Sequence, residues 1–346
     1  MRREIYSSAR DDEMAAAFTT GCVVGGRALV VTVRDADTPG AVAVEGVDAE
    51  IVTVKPQIGA FRRMVRDLEF DVCEIAPTTY IIARAYGKKF KALPIFVVRR
   101  FHHAGLLVRP DAGITSPKDL EGKKAGVRAY SVTTGVWTRQ VLIDEYGVDN
   151  SKINWFVDDE EHVQELKLPA NVSHVAAGDS LADMMARGDI VAGFDAAAGI
   201  GRTGAPTGGW QEVEANYPDL FPNAEELEAD YYARTKVYPM HGTIVVKDSV
   251  LEEHPWVARS IYDAFTKAKD AWVAKLNSGE ATGAGADKYR KLQKIVGADP
   301  LPYGIEANRA TIEALEKTAF DQGLTPRRMS MDELFVDPEQ GPALTA

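Results

Sequence analysis

The side chains in this chain best suited to moving a proton or holding an anion stand at the ends of apolar runs. His103 precedes the run Gly105 to Val108, and His241 precedes Thr243 to Val246. An imidazole exchanges a proton near neutral pH, so either ring can act as a general acid or base. Glu74 lies near the end of the run Phe70 to Ile75. A carboxyl group removed from water there can carry a proton, or it can be a plain carboxylate that stabilises the start of the next helix. Arg99 and Arg128 have the planar fork that grips a carboxylate in bidentate geometry, although arginine is also common on surfaces. Asp35 and Asp37 can hold ligand hydroxyls or cap the turn they sit in. Thr79, Tyr80, Tyr130 and Thr133 bring hydroxyls to loops and helix starts, where Thr133 and Thr134 can equally serve as N-terminal caps. His103, His241 and Glu74 also form a two-His-one-carboxylate set of the kind that binds a divalent metal. Spacing alone does not establish that geometry, so no metal and no other cofactor is expected. His102 reads as surface or packing, His254 as a helix-start residue and Arg202 as solvent-exposed.

The elements that must position these groups alternate between strand and helix. Ala28 to Val33 is β-branched and apolar like a strand buried on both faces, and 47 to 54 alternates as a second strand. Residues 58 to 68 have helical spacing through Ile58, Phe61, Met64, Val65 and Leu68. Phe70 to Ile75 reads as a strand, with Pro77 at the first turn of a helix that Gly87 ends. Ala92 to Val98 and Gly105 to Val108 read as further strands. Ser116-Pro117-Lys118-Asp119 predicts a capped turn, Lys124 to Val127 a strand, and a helix follows as far as Tyr146 and Gly147. Ser180 to Arg187 predicts a helix, Ile190 to Phe194 a buried strand, 199 to 210 a mobile glycine-rich loop, and the chain beyond Thr243 to Val246 is largely helical. Such alternation predicts α/β lobes whose ligand crevice lies at the carboxyl ends of strands.

A chain of 346 residues is longer than one core usually supports, so two lobes are expected. The net charge of −11 disfavours a phosphate backbone as partner, and no run of Lys and Arg interleaves with aromatics. No stretch approaches the ~20 apolar residues of a membrane span. Nucleic acid and membrane are therefore not expected as partners, whereas an anionic small molecule and a homo-oligomer remain open. Cys22 and Cys73 have neither metal nor redox spacing and read as thiols in a reducing compartment. The opening MRREIYSSARDDEM is acidic where an export signal needs basic residues, and AAAFTT is too short for its apolar core. A cytoplasmic location is expected.

An ordered set of segments spanning roughly residues 28 to 337 resembles one family, the bacterial 4,5-dihydroxyphthalate decarboxylases, which are relatives of solute-binding proteins. Phe70-Asp71-Val72-Cys73-Glu74-Ile75 with Thr78-Thr79-Tyr80 is similar to that family's EFDVxEM...SSY segment, and Arg99, Phe101 and His103 fall on its Arg-x-Phe-x-His element. Gly126-Val127 with Tyr130, Thr133 and Val136-Trp137 resembles its GVPEYxxTAxVW loop and helix, and Tyr238-Pro239-Met240-His241 resembles FPIMH. Asp299-Pro300 through Arg309 resembles DPWPYGLEANR, with Gln322-Gly323-Leu324 and Glu333-Leu334-Phe335 completing the match. There are departures: Arg34-Asp35-Ala36-Asp37 stands where the family shows Gly-Asp-Tyr-Asp, the segment before His241 is one residue shorter, and 195 to 225 diverges.

The resemblance implies a two-lobed α/β architecture of the type II periplasmic-binding-protein kind with a ligand cleft between lobes. In that reading residues 1–26 are an extension, 27–109 and 243–346 form a discontinuous first lobe, and 110–242 form the second. It further implies a decarboxylase of 4,5-dihydroxyphthalate or a related hydroxylated aromatic polycarboxylate. Ring decarboxylation needs a proton donor, for which His103, His241 and Glu74 are the candidates. It also needs groups that hold the retained carboxylate and the hydroxyls, drawn from Arg99, Arg128, Asp35, Asp37, Thr79, Tyr80, Tyr130 and Thr133. Two alternatives stand beside it: a non-catalytic small-acid binding protein or sensor with the same clamp, and an enzyme of this scaffold acting differently on another acid.

Overall fold

The computed structural model describes residues 44–47, 54, 57–203 and 211–340. Asp35, Asp37, Cys22, the expected strand at 28 to 33 and most of that at 47 to 54 lie outside the described residues. In chain order the described elements are α1 Gln57–Asp67, β1 Val72–Ile75, α2 Pro77–Ala85, β2 Phe90–Arg99, β3 Leu106–Val108, β4 Lys124–Gly126, α3 Thr133–Tyr146, β5 Asn154–Val157, β6 Val172–His174, α4 Leu181–Arg187 and β7 Ala192–Phe194. They continue with β8 Arg202–Thr203, β9 Gln211–Glu212, α5 Ala224–Thr235, β10 Met240–Lys247, α6 Asp248–Glu253, α7 Val257–Ser278, α8 Ala284–Val296, α9 Arg309–Asp321 and α10 Met331–Leu334.

The chain divides into two compact units. Of the described residues, the first contains those up to Arg100 with Met240–Ile312 and those from Met329 onward, and the second contains those within Phe101–Pro239 and Glu313–Arg328.

In the first unit β10 lies between β1 and β2 and runs antiparallel to both. All four residues of β1 are buried, Glu74 among them, as in a strand covered on both faces. Pro77 occupies the first turn of α2, where its missing N–H has no helical partner to lose. α7 buries Val257, Ile261, Ala264, Phe265, Ala268, Trp272 and Leu276, an apolar stripe at helical spacing. Lys247 donates to Asp71 at 2.9 Å in a buried ion pair that ties the end of β10 to the chain entering β1.

The second unit has a five-stranded sheet in the order β3-β7-β4-β5-β6, parallel except for the β3–β7 pair. Gly147 ends α3 in the left-handed conformation, and Gly188 does the same for α4, whose Ser180 cap accepts from Asp183 N–H. His254 does not start a helix; it closes α6, and α7 begins three residues later. The glycine-rich stretch begins as β8, which pairs with β9, while 204–210 lie outside the described residues.

Candidate active site

In the first unit the antiparallel order brings the carboxyl ends of β1 and β2 and the start of β10 to one edge of the sheet. Glu74, the start of α2, Arg99, Arg100, His241 and Gly242 share that edge. Met240 pairs with Arg99 but Gly242 pairs with Val98, so His241 is the extra residue of a β-bulge. A bulge re-aims a side chain that regular alternation would fix. Glu74 Oε1 accepts from Gln57 Nε2 at 3.2 Å. The same oxygen lies 2.7 Å from where a Cβ on Gly242 would stand. Glycine is what allows the Glu74 carboxylate to rest on β10 at Gly242.

Arg100 Nη2 lies 3.1 Å from His241 Nε2. A guanidinium only donates, so Nε2 accepts and the imidazole proton sits on Nδ1. Burial, reinforced by the Arg100 and Lys288 charges, pushes the His241 pKa well below the usual histidine range. The ring is neutral at physiological pH.

Arg99 is the last residue of β2 and Arg100 the first beyond it. Arg99 is fully enclosed and Arg100 is exposed. The Arg99 guanidinium donates to Asn308 Oδ1 and to the Pro302 carbonyl, and its Cζ sits 4.9 Å from the centre of the Phe96 ring. It is therefore engaged in holding the 302–308 segment. Tyr80 is also wholly buried: its hydroxyl donates to the Leu334 carbonyl, its ring packs against Phe90 and Phe335, and burial raises its pKa. Thr79 is buried in the first turn of α2.

In the second unit the loops after β4, β5 and β7 bring a different set of charges together. Arg128 Nη1 pairs with Asp159 Oδ2 at 3.0 Å, and Arg202 Nη2 pairs with Asp158 Oδ1 at 2.5 Å, all four side chains buried. Arg202 was expected at solvent; its enclosed partner Asp158 holds it inside instead. Glu161 accepts from the backbone N–H of Tyr130 at 2.7 Å and from Ser131, and burial raises its pKa. Tyr130 belongs to the core of this unit: Arg139 Cζ lies 3.9 Å from its ring centre, and its hydroxyl accepts from Asn150 Nδ2 at 2.9 Å. Thr133 is the first residue inside α3, and Val132 holds the cap position, so neither Thr133 nor Thr134 is the cap.

His103 also lies in the second unit, packed edge-on against Tyr231 at 5.4 Å and Phe221 at 6.1 Å between ring centroids. Burial pushes its pKa down to about 4. The sign of the resulting linkage is fixed: the unfolded ring takes up a proton near 6.5 and the folded ring only near 4. His103 thus adds stability above about pH 6.5 that is lost as pH falls toward 4, at most ~3 kcal/mol. Urea unfolding across that range should show a steeper loss for the parent than for His103→Gln, and equal slopes would refute it. His102 is buried too, its carbonyl accepting from Thr138 Oγ1 at 2.9 Å.

Sequence reasoning passed over Arg100, Asp158, Asp159, Glu161 and Glu228. Glu228 accepts from the backbone N–H of His103 and Ala104, and burial raises its pKa to about 7. No local pattern signals any of these in advance. Among the described residues no three His, Cys, Asp or Glu side chains converge as metal ligands do. No described helix is long and apolar enough to cross a membrane.

Comparison with known proteins places these observations. A family model described as "ABC transporter, phosphonate, periplasmic substrate-binding protein" matches residues 43–270. A Comamonas testosteroni protein named 4,5-dihydroxyphthalate decarboxylase is 32% identical over 308 residues, covering 86% of this chain and 91% of its own. A Pseudomonas putida protein of the same name is 33% identical over 159 residues, covering 44% of this chain and 61% of its own. Among solved structures, the periplasmic aliphatic sulphonate binding protein SsuA from Escherichia coli aligns with a TM-score of 0.48 and 12% identity, over 86% of this chain and 85% of that one. The assignment of a two-lobed α/β fold of the periplasmic-binding-protein kind rests on the family model.

Proposed function

Since the chain belongs to the 4,5-dihydroxyphthalate decarboxylase family, we propose that it removes carbon dioxide from 4,5-dihydroxyphthalate or a related hydroxylated aromatic polycarboxylate. It is a carboxy-lyase, and its substrate is a small molecule. A ring hydroxyl feeds electron density to the carbon bearing the departing carboxyl group, that carbon accepts a proton, and the carbon–carbon bond breaks. The protein's part is to hold the retained carboxylate, orient the ring and deliver the proton.

The observation that carries the assignment of residues is the bulge at His241, which sets an acid–base group beside a cation on the sheet edge that also carries Glu74. His241 is assigned as the proton donor, Glu74 as the group that orients ring hydroxyls, and Thr79 on the same edge as a further hydroxyl contact. His103 is assigned to packing, since its ring is enclosed by aromatic side chains. The cytoplasm is the proposed place of the reaction, consistent with the buried free thiol of Cys73.

Incubating the pure protein with a panel of hydroxylated benzene carboxylates and following carbon dioxide release by mass spectrometry tests this reading. Release from 4,5-dihydroxyphthalate or a close relative supports it, and binding without release across the panel favours the non-catalytic alternative. Gly242→Ala gives a sharper local test. The new Cβ would stand 2.7 Å from Glu74 Oε1 and 3.1 Å from Val97 Cγ2, so the carboxylate must move. The far end of a flexible side chain yields cheaply, so stability should fall by no more than about 1 kcal/mol. Turnover should drop tenfold or more, and unchanged turnover would remove Glu74 from the site.

A further inference from the structure

Arg100 is not a member of the motif that carries the family resemblance, yet it is the cation that touches His241. Its guanidinium occupies Nε2, the ring nitrogen at which a proton would have to be added. While that contact stands, protonating the ring would set two positive charges face to face, with Lys288 of α8 adding a third nearby. Glu74, resting on Gly242, is the carboxylate on the same edge. A dicarboxylic aromatic substrate brings a new anion, and the exposed guanidinium beside the neutral imidazole has the planar shape that holds a carboxylate in bidentate form.

On the reading that the reaction is an aromatic decarboxylation, we propose that Arg100 recognises the retained carboxylate of the substrate, and that its transfer from His241 Nε2 to that carboxylate is what lets His241 take up the proton it delivers to the ring. The step balances. His241 accepts a proton from solvent once Arg100 has turned to the substrate. The imidazolium then gives the Nε2 proton to the ring carbon, the bond to the departing carboxylate breaks, and its electron pair restores the aromatic ring as neutral carbon dioxide leaves. Arg100 therefore makes the acid available only when a carboxylate is bound. Substrates lacking the second carboxylate should bind weakly and also turn over slowly, because they leave Arg100 on the imidazole.

The test uses the full chain with isotope-labelled histidine, the His241 signal being identified by its loss in His241→Asn. Phthalate serves as the probe, because without ring hydroxyls it is held but not decarboxylated. In the parent, phthalate should raise the midpoint of His241 titration by about one pH unit or more, the scale of a nearby charge being neutralised. In Arg100→Gln the midpoint should already be raised without ligand and should not move when phthalate is added, and KM for 4,5-dihydroxyphthalate should rise at least tenfold. Arg100→Lys should keep the phthalate-dependent shift at lower affinity. The proposal is overturned if phthalate leaves the parent titration unmoved, or if Arg100→Gln binds phthalate as tightly as the parent. An intact phthalate response in a protein that releases no carbon dioxide would instead keep Arg100 as the carboxylate site and refute the decarboxylase reading.

Discussion

Replacing His241 with Asn should lower turnover by a hundredfold or more while leaving phthalate affinity within a few-fold of the parent. General acid catalysis by a positioned side chain contributes on this scale. Asn is close to the ring in size and keeps a polar atom near Arg100, so the bulge should survive. Binding and rate then separate, as they do when an interaction is made only in the transition state. His103→Asn should behave in the opposite way, losing stability through its aromatic packing and keeping its turnover per folded molecule. If His241→Asn retains parent turnover, the donor lies elsewhere and the bulge is only structural.

Arg99→Ala should destabilise the chain by about 3 to 5 kcal/mol without changing the affinity of the folded fraction for phthalate. Truncation would strand Asn308 Oδ1, at ~1–3 kcal/mol for a buried acceptor, and leave a large cavity beside Phe96, while the Pro302 carbonyl keeps its bond from Asn308 Nδ2. Urea unfolding of parent and variant, followed by calorimetric titration of each with phthalate, checks both parts. A stable variant with lost affinity would return Arg99 to the ligand.

Arg99 and Arg100 show where sequence reasoning stops. Their motif context favours Arg99, but which of two neighbouring side chains faces solvent is settled by the register of β2 against β10, and that register contains bulges no local pattern announces. Arg202 fails in the same way: a glycine-rich surrounding suggests exposure, and only the distant Asp158 holds it buried. Local signals fared better. The short strand segment around Glu74, Pro77 at a helix start, Ser180 at a cap and Gly147 past a helix end are each decided by neighbours a few residues away, and each element forms where these signals place it. Thr133 and Thr134 are the exception among these, since the chain enters α3 one residue earlier than a cap at Thr133 would require and two earlier than one at Thr134 would. Burial of Tyr80 and Tyr130 was equally illegible, because their hydroxyls meet Leu334 and Asn150, partners set by tertiary packing.

The reaction itself is tested most directly by running it in deuterium oxide with 4,5-dihydroxyphthalate and analysing product and headspace together. A proton delivered to the ring as the carboxyl group leaves predicts a product with a single non-exchanging deuterium at the vacated carbon, formed in equal amount with carbon dioxide. Substrate that is bound by the protein yet recovered intact, with no carbon dioxide above the protein-free control, would contradict the account.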